Sequence, residues 1–164
     1  MSLTIAQLRL APIMEMRARE LEQAFPGLVQ FVSGLRTPFE QAHAMAINHL
    51  LSPKRFLVSQ YIHASEFLEA LRLQPDADTV DEVTEVFHQL LEQRPDLVKS
   101  PHLTGHAVDP RRMEDQNGTP TPTGQQVIEW IRACPDTVDF RTREGGLRRW
   151  HWAVRASVTV TSQL

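Results

Sequence analysis

Ser100-Pro101-His102-Leu103-Thr104-Gly105-His106-Ala107-Val108-Asp109 is the stretch from which the rest of the chain is read. Its pattern is S-x-H-x-x-G-x-A-x-D: an imidazole and a carboxylate seven residues apart, with a glycine between them. Gly105 suits a tight turn that lets His102 and Asp109 point at one centre. Another histidine, His151, lies downstream in Arg149-Trp150-His151-Trp152. Two histidines and one carboxylate are a common ligand set for a catalytic zinc, which keeps its fourth position for water. Taken alone, His151 reads equally well as a strand histidine packed in a core.

Outward from this stretch, His106 to Asp109 reads as a strand, with Ala107 and Asp109 on one face. Residues 110–124 are rich in Pro, Thr, Gly, Asn and Asp and read as a long surface loop, placed to act as a lid or rim. A short helix is expected from Gln125 to Cys134. Thr137–Arg141 and Leu147–Val154 read as two strands joined by a hairpin around Glu144-Gly145-Gly146, and residues 156–160 as an extension of the last strand.

Upstream, Leu8, Ile13, Met14, Leu21 and Ala24 recur at helical spacing, with Pro12 as a split or a first turn and Pro26-Gly27 as the stop. Leu28 to Val32 is apolar and β-branched, a strand pattern. Thr37, Pro38 and Glu40 form a capping box that opens a second helix. A third helix is expected from Ser52-Pro53 to Leu71, and a fourth from Thr79-x-x-Glu82 to Arg94-Pro95.

The length of 164 residues suits one domain with a real core, and 41% apolar with 23% charged residues is a globular composition. A formal charge of -3 argues against a nucleic-acid binder, which is usually basic. The single cysteine, Cys134, excludes an intramolecular disulfide and a cysteine zinc cluster. At a helix end before Pro135 it reads as a structural thiol, since the helix dipole there disfavours a thiolate. No stretch is long and apolar enough for a membrane span. The start, Met1 to Ala6, lacks a basic segment followed by an apolar run, so the expectation is synthesis in the cytoplasm without a signal peptide.

Ser100–Asp109 resembles the signature of the zinc D-Ala-D-Ala carboxypeptidase/dipeptidase and phage L-alanyl-D-glutamate endopeptidase family, enzymes that cut peptidoglycan stem peptides. Val32-Ser33-Gly34-Leu35-Arg36-Thr37-Pro38, followed by Glu40 and Gln41, resembles that family's S-G-x-R-[ST] turn from strand to helix. Trp150-His151-Trp152 resembles its terminal W-H strand. The three matches stand in the family's order and span about Phe31 to Trp152. The resemblance implies that His102, Asp109 and His151 hold Zn2+ and that Arg36 binds the substrate carbonyl or stabilises the oxyanion, as a fixed guanidinium aimed at developing charge can. It implies a peptidoglycan peptide as substrate and action on the cell wall after release, after injection or as part of a virion. It also implies an α+β fold of the hedgehog/DD-peptidase kind: a small, mainly antiparallel sheet carrying Phe31, Asp109 and His151, with helices on one face.

Two departures from the family pattern stand out. The family usually places a carboxylate three residues before its last histidine, where this chain has Arg148, which cannot act as a general base at pH 7. Glu144, in the hairpin turn, is the nearest upstream carboxylate and the candidate base, with Asp139 and Glu114 as weaker substitutes. The plain alternative for Glu144 is a solvated turn residue. The other departure is a helical insertion at about residues 53–99 within the single domain 1–164. A catalytically inactive zinc-containing binding or structural module on the same fold is the competing expectation, with Arg148 and Arg149 binding an anionic ligand such as a peptide carboxylate. The remaining histidines, His43, His49, His63, His88 and His106, read as surface or core residues.

Overall fold

The computed structural model describes residues 2–53 and 55–156 of the chain. Contacts divide the chain into two compact units. One comprises Met1–Leu35, Thr104–Phe140 and His151–Leu164; the other comprises Arg36–Leu103 and Arg141–Trp150.

The first unit opens with a 3-10 turn, Ile5–Leu8, closed by a capping box between Thr4 and Gln7. Helix α1, Pro12–Ala24, takes Pro12 at its first turn, where the missing N–H costs nothing. Strand β1, Phe31–Ser33, is three residues long, shorter than the apolar run suggests. The reason is local: the Leu28 N–H donates to the Phe25 carbonyl in a turn, and Leu28 and Val32 are exposed. Only Val29 and Phe31 of that run are buried. Strand β2, Ala107–Pro110, pairs antiparallel with β1, Ser33 lying opposite Asp109. Helix α6, Pro122–Ala133, starts three residues before the expected Gln125. Thr121 caps it by accepting a hydrogen bond from the Gly124 N–H at 3.1 Å, and Pro122 takes the first turn, so turn-like composition here encodes a helix start. Gly124 is required for space, since a Cβ there would stand 2.3 Å from the Met113 carbonyl oxygen.

Strands β3, Thr137–Glu144, and β4, Leu147–Val154, complete a four-stranded sheet in the order β1-β2-β4-β3. The fold class is α+β with an antiparallel sheet, as the sequence implies. The expected strand extension falls mainly on residues 157–160, which lie outside the described residues.

In the second unit, α2, Pro38–Leu51, and the later helix α5, Val80–Gln93, each begin with the capping box legible in the sequence, Thr37 with Glu40 and Thr79 with Glu82. Between them the expected third helix is two: α3, Phe56–Gln60, and α4, Ala64–Arg72. Tyr61 breaks it by taking an extended backbone (φ -126°, ψ 130°). Phe56, Leu57 and Phe67 still reach one apolar cluster with Ala42, Met45, Val83 and Phe87, which is why apolar spacing alone does not reveal the break. The β3–β4 turn also lies in this unit, and Ser52 Oγ donates to the Gly145 carbonyl at 3.1 Å.

Candidate metal centre

His102 sits in a 3-10 turn, Pro101–Thr104. Its backbone is fixed on both sides. The His102 N–H donates to Ser100 Oγ at 3.3 Å, and its carbonyl accepts from the Arg36 N–H at 3.0 Å. The two motifs recognised separately in the sequence, around Arg36 and around His102, are therefore joined by a main-chain hydrogen bond. Gly105 follows with φ +72°, and a Cβ there would lie 2.7 Å from the Ala11 nitrogen, so both conformation and space select glycine.

Asp109 and His151 are brought together by sheet register. Ala107 lies opposite Ala153 and Val108 opposite Trp152, so one further step places Asp109 opposite His151. The separation of Asp109 Oδ1 from His151 Nδ1 is 3.2 Å. Trp152, beside His151, is fully buried, and its indole N–H donates to Thr137 Oγ1 at 2.8 Å, which in turn donates to the Ile131 carbonyl at 2.7 Å. This chain of bonds anchors β4 at the residue next to the histidine.

His102, Asp109 and His151 are 3%, 3% and 6% exposed. They form a group that could hold a metal ion, each offering one ligand atom within 4.8 Å of the others. The donor set fits zinc. With bonds of about 2.0–2.1 Å, two ligand atoms of a tetrahedron stand about 3.3 Å apart, close to the 3.2 Å observed between Asp109 and His151. With a proton on Nδ1 the same separation is an ordinary hydrogen bond.

The other expected residues are placed as follows. Arg36 is half-buried at the entrance to α2, and its guanidinium donates to Gln41 Oε1 at 3.4 Å. Glu144 is half-buried at the end of β3, and neither it, Asp139 nor Glu114 belongs to the ligating group. Glu114 lies in the loop before α6, 3.8 Å from Arg112. Arg148 is exposed on β4, whereas Arg149 is half-buried. Four of the remaining histidines have partners away from the site: His43 with Thr84 on α5, and, within a few residues, His63 with Glu66, His88 with Glu92 and His106 with Thr104. Cys134 is a buried free thiol.

Sequence patterns gave no notice of Tyr61. Gln41 is almost fully buried, and its Nε2 donates to the Tyr61 hydroxyl at 3.2 Å. Burial raises the pKa of the Tyr61 phenol well above its ordinary value, and the Glu144 carboxylate adds to the rise, while Arg36, Gln41 and Arg149 oppose it. The signal that could have marked Tyr61 is slight: it is the only tyrosine of the chain.

No protein-family model, curated protein or solved structure matches the chain. Among the described residues no helix is long and apolar enough to cross a membrane.

Proposed function

We propose that the chain is a zinc-dependent peptidase that hydrolyses peptidoglycan stem or cross-link peptides, of the D,D-carboxypeptidase or L-alanyl-D-glutamate endopeptidase type. The observation that carries this reading is the buried group of His102, Asp109 and His151. The resemblance of their surroundings to the peptidase signature supports it. Zinc held there would supply a water acidic enough to lose a proton near neutral pH. His102, Asp109 and His151 would hold that ion. Glu144 would be the general base, taking a proton and returning it to the leaving amine. Arg36, with its backbone tied to the His102 turn, holds the carbonyl oxygen as negative charge develops on it.

The exposed Arg148, at the position where the resembled family carries its acid, favours the second reading, a zinc-containing binding module without hydrolytic activity. The deciding experiment is a digest of purified peptidoglycan read by mass spectrometry, with zinc-supplied protein, chelated protein and Glu144→Gln. New peptide fragments from the zinc-supplied protein alone support the peptidase, and their loss in Glu144→Gln supports the assigned base. Zinc bound at one per chain with no fragment from any sample leaves the binding module.

A further inference from the structure

Residues 41–65 contain no Asp or Glu, yet three large apolar side chains among them face solvent. Ile62 is 97% exposed, Leu51 67% and Val58 65%, whereas Phe56 and Leu57 between them enter the core. Single exposed aliphatics are ordinary on a protein surface. Three on and beside one short helix, α3, form an apolar surface that calls for a partner.

The β3–β4 hairpin lies against this segment within the same unit. Ser52 Oγ donates to the Gly145 carbonyl at 3.1 Å, Gly145 approaches Phe56 so closely that a Cβ would meet the ring at 2.5 Å, and Gln60 Oε1 accepts from Arg141 at 3.3 Å. Residues 52, 56 and 60 stand four apart, the spacing of one helical face, and they follow the hairpin from its turn back to Arg141. Arg143 shares the face of Arg141 by strand alternation, and both are exposed, as is Arg148 beyond the turn. The apolar surface is therefore bordered by arginines. Residues 41–65 and 141–150 together hold six of the chain's 17 Lys and Arg and one of its 20 Asp and Glu. That is a local charge of +5 in a chain of net charge -3, with -8 on the remainder.

The combination selects the partner. Arginines meet the phosphates of an anionic lipid surface while aliphatic side chains enter the boundary of the acyl chains. A soluble polyanion would engage the arginines and leave Leu51, Val58 and Ile62 in water. We infer that α3 and the β3–β4 hairpin form a docking surface for an anionic lipid bilayer, lying on the membrane rather than spanning it. Such docking goes beyond the peptidase reading and rests on neither form of the metal centre.

The test is sedimentation of the full chain with vesicles of phosphatidylcholine alone and of phosphatidylcholine mixed with phosphatidylglycerol, at low and high salt. The mixed vesicles should bind it at least about ten-fold more strongly, and high salt should weaken the binding. Arg143→Ala should weaken it about five-fold, the effect of one basic residue at an anionic surface. Val58→Gln combined with Ile62→Gln should weaken it at least about ten-fold with charge and melting temperature unchanged. Arg72→Ala removes the same charge from α4, where Arg72 pairs with Glu69, and should leave binding unchanged. Absence of binding to the mixed vesicles overturns the inference. An Arg72→Ala loss equal to that of Arg143→Ala overturns the location. Full binding by the double glutamine variant overturns the lipid assignment in favour of a site for soluble polyanions.

Discussion

The β3–β4 turn offers a comparison in which two adjacent glycines have the same chemistry but different space. Gly145 and Gly146 have φ of +55° and +85°, the positive pair that a type I′ hairpin turn requires. Placing alanine at either costs about 1–2 kcal/mol for the left-handed backbone. Only Gly145 adds a steric term. Its Cβ would meet Phe56 Cδ2 at 2.5 Å and Phe56 Cα at 2.9 Å, and the second of these is backbone that a rotamer change cannot move. At Gly146 the nearest atom is Ser52 Oγ at 4.0 Å, an ordinary van der Waals contact. Overpacking of this kind costs about 1–3 kcal/mol more. Urea unfolding of Gly145→Ala and Gly146→Ala should therefore show both destabilised, with Gly145→Ala worse by about 1–3 kcal/mol. Equal losses would refute the close approach of the turn to Phe56. A larger loss at Gly146 would refute the conformational assignment as well.

Three further perturbations follow from particular contacts. Thr137→Val keeps the side-chain shape but strands the buried Trp152 indole N–H, and should cost about 1–3 kcal/mol in chemical denaturation; a loss under about 0.5 kcal/mol would count against that bond. His49 has its pKa lowered from 6.5 by burial, and its Nδ1 is buried without a hydrogen-bond partner. A depressed pKa means the unfolded chain binds the proton more readily, so this contribution to stability is complete above pH 6.5 and is lost as pH falls through the lower folded value. The gap in urea midpoint between pH 7 and pH 5 should shrink in His49→Leu, and an unchanged gap would rule His49 out. Chelation should lower the melting temperature by the linkage of metal binding, about 2.7 kcal/mol for metal at 100 times its dissociation constant, while Asp109→Asn should make the protein indifferent to chelator; a chelator effect of full size in Asp109→Asn would remove Asp109 from the ligands.

What the sequence disclosed follows the range of the interaction concerned. Helix starts at Thr37 and Thr79 are legible because a capping box is complete within four residues. The start of α6 uses the same chemistry at Thr121, but it is hidden among Pro, Thr and Gly that resemble a loop. The break at Tyr61 is invisible because Phe56, Leu57 and Phe67 face one cluster on both sides of it. His102 and Asp109 are legible as a pair because seven residues and one left-handed glycine connect them. The Gln41–Tyr61 bond joins residues twenty apart, one on α2 and one in the break between α3 and α4, and no local pattern records it.

The sheet order bears on how firmly the candidate ligands are held. In β1-β2-β4-β3 the two inner strands are β2 and β4, and these carry Asp109 and His151 opposite each other. A one-residue slip of β4 would turn His151 to the other face and take Trp150 and Trp152, now fully buried, out of the packing they occupy. Trp150 and Trp152 therefore act on the site through register, since a slipped pairing would have to repack two large indoles. His106 illustrates the same constraint from the neighbouring strand. Its carbonyl accepts from the Val154 N–H at 2.9 Å, which holds the pairing one step beyond Ala107 and Ala153. The geometry of the ligand pair is thus set by apolar packing and main-chain bonds that do not depend on a metal, as a site prepared in advance of its ion requires.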